Sequence, residues 1–355
     1  MKRQYNVAVV GATGAVGTEI LRVLAQRRCP VKGLQLLASA RSKGRRVRFN
    51  GSWHRVAELR KQAFAGIDVA LFSAGASRSL EFAPAAVKQG AVVVDNSSAF
   101  RMTPDVPLVV PEVNPQALIE HHGLIANPNC STIIMLVALA PIHHAATITR
   151  IRVATYQSVS GAGTKAIAQL YQESRRVLRQ LRVSRQELRV GAQLSGRTVG
   201  PLPAQIAFNI IPQVDVFLDN RYTKEEMKIV GETRKILGIP DLPVSATCAR
   251  VPVLVAHSEA VWIETRRPMA VEEAHTLLRQ APGVTLVDDP AKGRYPLPVD
   301  AAGQDDVLVG RIRPDDASPN GLILWVCGDN LRKGAATNAI QIAELLVGRQ
   351  VTSDK

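Results

Sequence analysis

The stretch Val7-Ala8-Val9-Val10-Gly11-Ala12-Thr13-Gly14-Ala15-Val16-Gly17-Thr18-Glu19-Ile20-Leu21-Arg22-Val23-Leu24 decides the fold. Its apolar start reads as a short strand, a glycine-punctuated turn follows, and the apolar spacing after Thr18 is helical. A strand running through glycines into a helix places a pyrophosphate at the helix N-terminus. Glycine lets the backbone approach, and unpaired N–H groups with the helix dipole attract the negative charge. The spacing is G-x-x-G-x-x-G rather than the usual G-x-G-x-x-G, which makes Gly11, Thr13, Gly14, Ala15 and Val16 the candidate cofactor contacts.

The next apolar run, Leu34-Gln35-Leu36-Leu37-Ala38, continues as Ser39-Ala40-Arg41-Ser42-Lys43-Gly44 without an acid. NAD-specific sites carry an Asp or Glu here for the ribose 2′-hydroxyl. A carboxylate would repel a 2′-phosphate, whereas Arg41 and Ser42 can hydrogen-bond one, so the segment favours NADP.

Working outward, residues 7–10, 34–38, 69–72, 92–94 and 123–126 read as strands, with helices at 18–26 and 79–89 among them. Such alternation means a parallel sheet covered by helices on both faces. After Cys130 the strands at 148–156, 251–264 and 322–327 are longer, interleaved with helices such as 224–237. A final helix at 334–346 returns to the start of the chain. The expected fold is α/β. It has a Rossmann-like NADP-binding domain from residues 1–132 plus 330–355, and a second, α+β domain over 133–329.

At 355 residues the chain suits two domains, and a hydrophobic content of 46% describes an ordinary globular protein. The longest apolar run, 133–142, is far short of the roughly 20 residues that span a bilayer, so no membrane association is expected and the location is read as cytoplasmic. Cysteines at 29, 130, 248 and 327 show no C-x-x-C spacing, so neither a metal site nor a disulfide framework is indicated. Net charge is +14, with the excess concentrated at 41–48 and 175–189. Residues 174–188 read as a helix with an apolar stripe and an arginine-rich solvated face. With aromatic residues at 4% and no nucleic-acid motif, no nucleic-acid partner is expected.

Cys130 lies in Asn127-Pro128-Asn129-Cys130-Ser131-Thr132, just before an apolar helix. Asn, Ser and Thr start helices. A helix N-terminus stabilises a thiolate, which marks Cys130 as a candidate nucleophile. A thiolate beside a nicotinamide suggests thioester chemistry on an aldehyde, which calls for a general acid/base such as His. His257 is the candidate, in the segment 250–259, where Pro252 permits a turn or bulge between Arg250 and His257.

These residues resemble the bacterial aspartate-β-semialdehyde dehydrogenase family over nearly the whole chain. The matching segments are GATGAVG, ASARS at 38–42, SAGAS at 73–77, VDNSSAFR at 94–101, VVPEVN at 109–114, ANPNCST at 126–132 and YQSVSGAG at 156–163. They continue with AFNIIPQVD at 207–215, YTKEEMK at 222–228, residues 249–259 and GDNLRKGA at 328–335. The resemblance implies Cys130 as the acyl-thioester nucleophile, His257 as acid/base, and Gln157 as the residue that orients substrate or intermediate. It implies Arg250 on the substrate α-carboxylate, Glu225 on its α-ammonium, and Arg101 with Lys228 on phosphate. Ser160 and Gly161 would line the nicotinamide side and Asn330 would approach its amide.

The implied reaction is reduction of L-aspartyl 4-phosphate by NADPH to L-aspartate 4-semialdehyde and phosphate, a step toward lysine, threonine, methionine and diaminopimelate. The second domain would be catalytic and would form the interface of a homodimer or a larger assembly. Two departures stand out: Lys165 follows Gly163-Thr164 where the family commonly has Lys or Gly directly after the glycine, and 175–200 is unusually arginine-rich. The nearest alternative is N-acetyl-γ-glutamyl-phosphate reductase, whose substrate has no free ammonium to use Glu225. A sugar-aldehyde dehydrogenase is disfavoured for the same reason. A non-catalytic relative kept as a binding protein would not need Cys130 with His257.

Overall fold

The structure, a computed structural model, describes residues 4–180 and 200–353. The chain opens with β1 (Tyr5–Val10), α1 (Ala15–Gln26) and β2 (Val31–Ala38), then an antiparallel ribbon of β3 (Arg46–Phe49) and β4 (Ser52–Arg55), and β5 (Ala57–Glu58). β6 (Val69–Phe72), α2 (Ala76–Lys88), β7 (Val92–Asp95) and β8 (Leu124–Ala126) complete a six-stranded sheet in the order β5-β2-β1-β6-β7-β8. All its pairs are parallel. Successive residues of β1 bury into opposite layers, as a strand covered on both faces requires. Val7 and Val9 join the core beneath α1, while Ala8 and Val10 join the core that holds Phe72, Phe82 and Ala86.

α3 (Cys130–Ala146) leads into the second half. There β9 (Ile148–Gln157), α4 (Thr164–Gln180), α5 (Lys224–Leu237), β10 (Val244–Arg250), β11 (His257–Thr265), α6 (Val271–Gln280) and β12 (Val284–Leu286) follow in turn. The short α7 (Pro298–Ala301), β13 (Val307–Pro314) and β14 (Gly321–Gly328) complete a mixed six-stranded sheet in the order β10-β9-β11-β14-β13-β12. α3 is apolar nearly all round and buried on nearly every side, which suits a helix at the centre of a core. It shares one core cluster with Ile151, Val261, Leu324 and residues of α6.

The expected strand at 251–264 is corrected by the structure. β10 ends at Arg250, and β11 begins at His257. Pro252 has no N–H for a ladder, and Ala256 sits at φ +73°, so the intervening residues loop instead. That loop places Arg250 and His257 at the same end of two strands. The arginine-rich helix expected at 174–188 is described only as far as Gln180, within α4, and its remainder lies outside the described residues.

The C-terminal helix returns as expected, but through an intermediate. Residues Arg332–Ala336 form a π-helical turn before α8 (Thr337–Ser353). Ala336, Ala339, Ile340 and Ile342 then pack into the α1 side of the first sheet. Arg332, in the π turn, donates to Glu19 of α1 at 2.8 Å and pairs with Asp305 at 2.9 Å, so buried charges fasten the two ends of the chain. Removing one partner of such a pair leaves an uncompensated charge. Glu19→Ala is therefore expected to cost on the order of 3 kcal/mol. A urea midpoint equal to that of the wild type would contradict this.

Candidate active site

Asn129 caps α3, its Oδ1 accepting from the backbone N–H groups of Ser131 and Thr132 at 3.0 and 3.2 Å. Cys130 is thereby the first helical residue. The other polar atoms of Asn129 reach two buried carboxylates of α5. Its N–H donates to Glu232 at 2.6 Å and its Nδ2 donates to Glu225 at 2.8 Å. α5 presents both because they lie seven residues apart, two turns along one face. The helix starts cleanly from the Thr223–Glu226 capping box.

Cys130 opens onto a cleft of about 400 Å³ between the two halves. Of the residues singled out in the sequence, the cleft gathers Arg101, Gln157, Ser160, Gly161, Glu225 and Lys228, with Arg250, Asn330 and Val16 also on its wall. Gly11, Thr13, Gly14, Ala15, Arg41 and Ser42 lie outside that wall, at the head of the first sheet. Thr13 Oγ1 and Ser42 Oγ are 3.2 Å apart, so the glycine turn and the basic loop after β2 meet; Ser42 is buried and Arg41 exposed.

His257 is not on the wall. It is completely buried, and no hydrogen bond joins it to Cys130 among the described residues. Its ring lies behind Gly161, where a Cβ would come within 3.2 Å of Nε2 and 3.0 Å of Arg250 Nη1. His257, expected as the acid/base, therefore sits directly behind a cleft residue that has no side chain to cover it. The tautomer follows from the geometry. The backbone N–H of Ser158 donates to Nδ1 at 3.0 Å, so in the neutral ring the proton sits on Nε2, which has no partner. Burial, and secondarily the Arg250 charge, hold its pKa well below the usual histidine range. The ring is neutral at pH 7.

Asn330 holds the turn around this histidine, its Oδ1 accepting from Ser158 Oγ, Ser160 Oγ and the Ala256 N–H at 3.0–3.1 Å. Arg250 is 6% exposed, donates to the Ser158 carbonyl at 2.8 Å, and has no carboxylate partner among the described residues. Its Nε is likewise unpartnered. A buried guanidinium in that state is built for an anionic ligand. Arg101 and Lys228, implied as phosphate ligands, already hold carboxylates. Arg101 pairs with Glu232 at 3.0 Å and donates to the carbonyls of Asn96 and Asn127, while Lys228 pairs with Asp215 at 2.8 Å and Glu225 at 3.1 Å.

In the ligand-free site the electrostatics oppose ionisation of the thiol. A helix N-terminus lowers a thiol pKa, yet burial, with Glu225 adding to it, pushes the Cys130 thiol up to about 12 against the opposing pull of Arg101 and Arg250. Glu225 itself stays below the usual carboxylate range. Burial opposes its charge, but Lys228 and the bonds from Asn129 and Gln157 outweigh that. Burial raises Glu232 and lowers Arg250.

Sequence reasoning missed several participants. Asn129 was legible as a helix-start residue, and Glu232 as the same-face partner of Glu225. Ser158 and Gly334 carry no signal of their own. At Gly334 a Cβ would fall 2.8 Å from Cys130 Cβ, a contact made across 204 residues of chain by the π turn. Among the described residues no cluster of His, Cys, Asp and Glu could hold a metal ion, all four cysteines are free, and no helix is long and apolar enough to cross a membrane.

A glycine-turn parallel sheet joined to a mixed sheet, with a polar cleft at the seam, defines a dehydrogenase of the nucleotide-binding α/β class. The comparisons agree. Residues 6–121 match the family described as "Semialdehyde dehydrogenase, NAD binding domain", and residues 139–333 match "Semialdehyde dehydrogenase, dimerisation domain". Aspartate-semialdehyde dehydrogenase from Synechocystis sp. is 52% identical, covering 98% of this chain and 99% of its own. The Bacillus subtilis protein of that name is 51% identical, covering 98% of each. A crystal structure of aspartate semialdehyde dehydrogenase II from Vibrio cholerae complexed with ASA superposes with a TM-score of 0.89, at 49% identity over 97% of this chain and 98% of that one. The chain belongs to the aspartate-semialdehyde dehydrogenase family.

The raised thiol has a direct consequence. Alkylation of the ligand-free enzyme at Cys130 by iodoacetamide is expected to be slow at pH 7 and to climb about tenfold per pH unit, as thiolate reactivity below a pKa does. No plateau should appear below pH ~10; one near pH 8 would show that the resting site already stabilises the thiolate.

Proposed function

We propose that the chain catalyses the NADPH-dependent reduction of L-aspartyl 4-phosphate to L-aspartate 4-semialdehyde and phosphate, with the reverse, phosphate-dependent oxidation available for assay. The observation that carries this reading is the convergence on one cleft of a helix-start cysteine, an unpaired buried guanidinium and a buried carboxylate, Cys130, Arg250 and Glu225. An amino acid carries a carboxylate and an ammonium as well as its reacting group, and these three residues match those three demands. Arg250 takes the α-carboxylate and Glu225 the α-ammonium. Gln157 and Asn129, both bonded to Glu225, hold that carboxylate in place.

The chain's own residues account for the acyl transfer. The Cys130 sulfur attacks the acyl carbon, the C–O bond to phosphate breaks, and the thiol proton leaves on the phosphate, so charge and protons balance. Arg101 and Lys228 would turn toward the phosphate from the carboxylates they now hold. His257, neutral and protonated at Nε2, donates a hydrogen bond to the oxygen of the tetrahedral adduct. A buried donor without a partner is costly to keep and is satisfied by such an oxygen. This assigns His257 the donor half of the acid/base role and leaves thiol deprotonation to the phosphate.

The dinucleotide fits the residues at the head of the first sheet. Gly14 caps α1 with no side chain, and Gly11 stands at φ +87°, where a Cβ would strike Ser73. That leaves a backbone cradle for pyrophosphate. Arg41 and Ser42 would receive the 2′-phosphate, and Ser160, Gly161 and Asn330 the nicotinamide side. When bound, the reduced nicotinamide supplies the hydride. The division into residues 1–132 plus 330–355 for the nucleotide and 133–329 for catalysis and self-association belongs to the same reading, with a homodimer or tetramer in the cytoplasm. Free cysteines and a charged-metabolite substrate support that location.

Phosphate-dependent NADP+ reduction with L-aspartate 4-semialdehyde tests the reading. Wild-type enzyme should be active and Cys130→Ala should lose on the order of 10³-fold or more in kcat. Arg250→Leu should raise KM for the semialdehyde by about tenfold or more while leaving NADP+ binding by fluorescence unchanged. Activity surviving in Cys130→Ala would remove the nucleophile from the mechanism.

A further inference from the structure

Lys333, in the π turn, takes no part in the acyl transfer, yet it begins a line of amides that ends on the cleft. It is 1% exposed, and its ammonium has three acceptors: Glu112 Oε2 at 2.6 Å, Gln341 Oε1 at 2.7 Å and Asn338 Oδ1 at 3.0 Å. An ammonium only donates, so Asn338, buried in the first turn of α8, must turn its oxygen to Lys333 and its nitrogen away. That Nδ2 donates to the Val109 carbonyl at 3.0 Å and to Asn127 Oδ1 at 2.7 Å. Asn127, its oxygen thus occupied, passes its own Nδ2 to Asn96 Oδ1 at 3.0 Å and to the Ala335 carbonyl at 3.5 Å. Asn96 Nδ2 donates in turn to the Phe72 carbonyl at 2.9 Å. Each amide is oriented by the one before it, and the three carbonyls, which only accept, hold every link in the same direction.

The line ends at the residues assigned to phosphate. Asn96 and Asn127 both lie on the cleft wall. Their main-chain carbonyls are the two that hold Arg101, accepting from Nη2 at 2.8 Å and from Nε at 2.9 Å. The second Nδ2 proton of Asn96 has no acceptor among the described residues, which leaves a donor beside Arg101 for an incoming anion. A phosphate oxygen is an acceptor, so an N–H at this place attracts it where an amide oxygen would repel it.

We propose that Asn338 is a positioning residue for the phosphate subsite. Held by Lys333, it fixes the polarity of the Asn127 and Asn96 amides, so that Asn96 presents N–H to phosphate and both residues keep their clasp on Arg101. Asn338 has this role only if Arg101 is a phosphate ligand, as read above.

In the phosphate-dependent oxidation, KM for phosphate and KM for L-aspartate 4-semialdehyde are measured, with Tm alongside, for Asn338→Asp, Asn338→Leu, Gln341→Leu and Arg101→Gln. Asn338→Asp keeps an acceptor for Lys333, but its second oxygen also only accepts. Asn127 must then turn its Nδ2 back and confront Asn96 with an oxygen. KM for phosphate should rise about tenfold or more, with KM for the semialdehyde within about twofold of wild type. Asn338→Leu, which carries no charge, should raise the phosphate KM by a similar factor. Gln341→Leu removes another acceptor of the same ammonium but leaves the amide line whole, so it should lower Tm and keep the phosphate KM within about twofold of wild type. A rise in Asn338→Asp alone would be repulsion of phosphate by the new charge and would overturn the proposal. So would a wild-type phosphate KM in both Asn338 variants, an equal rise in Gln341→Leu, or phosphate and semialdehyde KM values that rise together. A wild-type phosphate KM in Arg101→Gln would overturn the reading of Arg101 itself, and with it this proposal, separately from any result at position 338.

Discussion

The buried carboxylate of Glu232 is the constraint on which the site depends. It sits 1% exposed inside α5 and is satisfied from two directions, by the Arg101 guanidinium and by the Asn129 N–H. Arg101 is itself bonded to the Asn96 and Asn127 carbonyls, in the loops that leave β7 and β8. One carboxylate therefore joins the mouth of the first sheet, the start of α3 and a helix of the second half. Removing any of these partners would strand a charge away from water, which costs far more than the net worth of one bond. The N-terminus of α3 is consequently held in register with both halves before any ligand arrives.

The same burial that fixes the geometry works against the reactivity. A thiol enclosed beside Glu225 resists ionisation, and the nearby guanidinium groups only partly compensate. Geometry and electrostatics in the ligand-free cleft thus pull in opposite directions. Ligand charges bear on the smaller cause: an ammonium beside Glu225 would neutralise the charge that adds to burial in opposing the thiolate. Arg101 and Lys228, both now committed to carboxylates, are cations whose partners can be exchanged for phosphate.

Much of this was legible in the residues. The strand–glycine–helix pattern and the alternation after it translate directly into β1, α1 and the parallel sheet, because apolar periodicity reports burial. Cys130 could be placed at a helix start because Asn129 is a capping residue, and the Glu225–Lys228 pair could be placed on one face by helical spacing. What could not be read depends on distance in space. The loop between Arg250 and His257 was only half legible: Pro252 signalled a break, but the positive φ at Ala256 that ends it is hidden in an apolar run. The wall formed by Gly161 over His257, the π turn at Gly334 against Cys130, and the raised thiol pKa all arise from packing between segments far apart in sequence. Local composition carries no trace of them.

The π turn and α8 have a bearing on the order in which this protein is made. The core beneath α1 is closed by Ala336, Ala339, Ile340 and Ile342, and Glu19 waits for Arg332. A nascent chain released only as far as about residue 330 therefore carries the glycine turn with α1 but without the α8 part of the layer that buries its apolar side. The glycine-turn sheet is thus made well before the segment that seals it, and the Gly334 wall beside Cys130 arrives with the same segment.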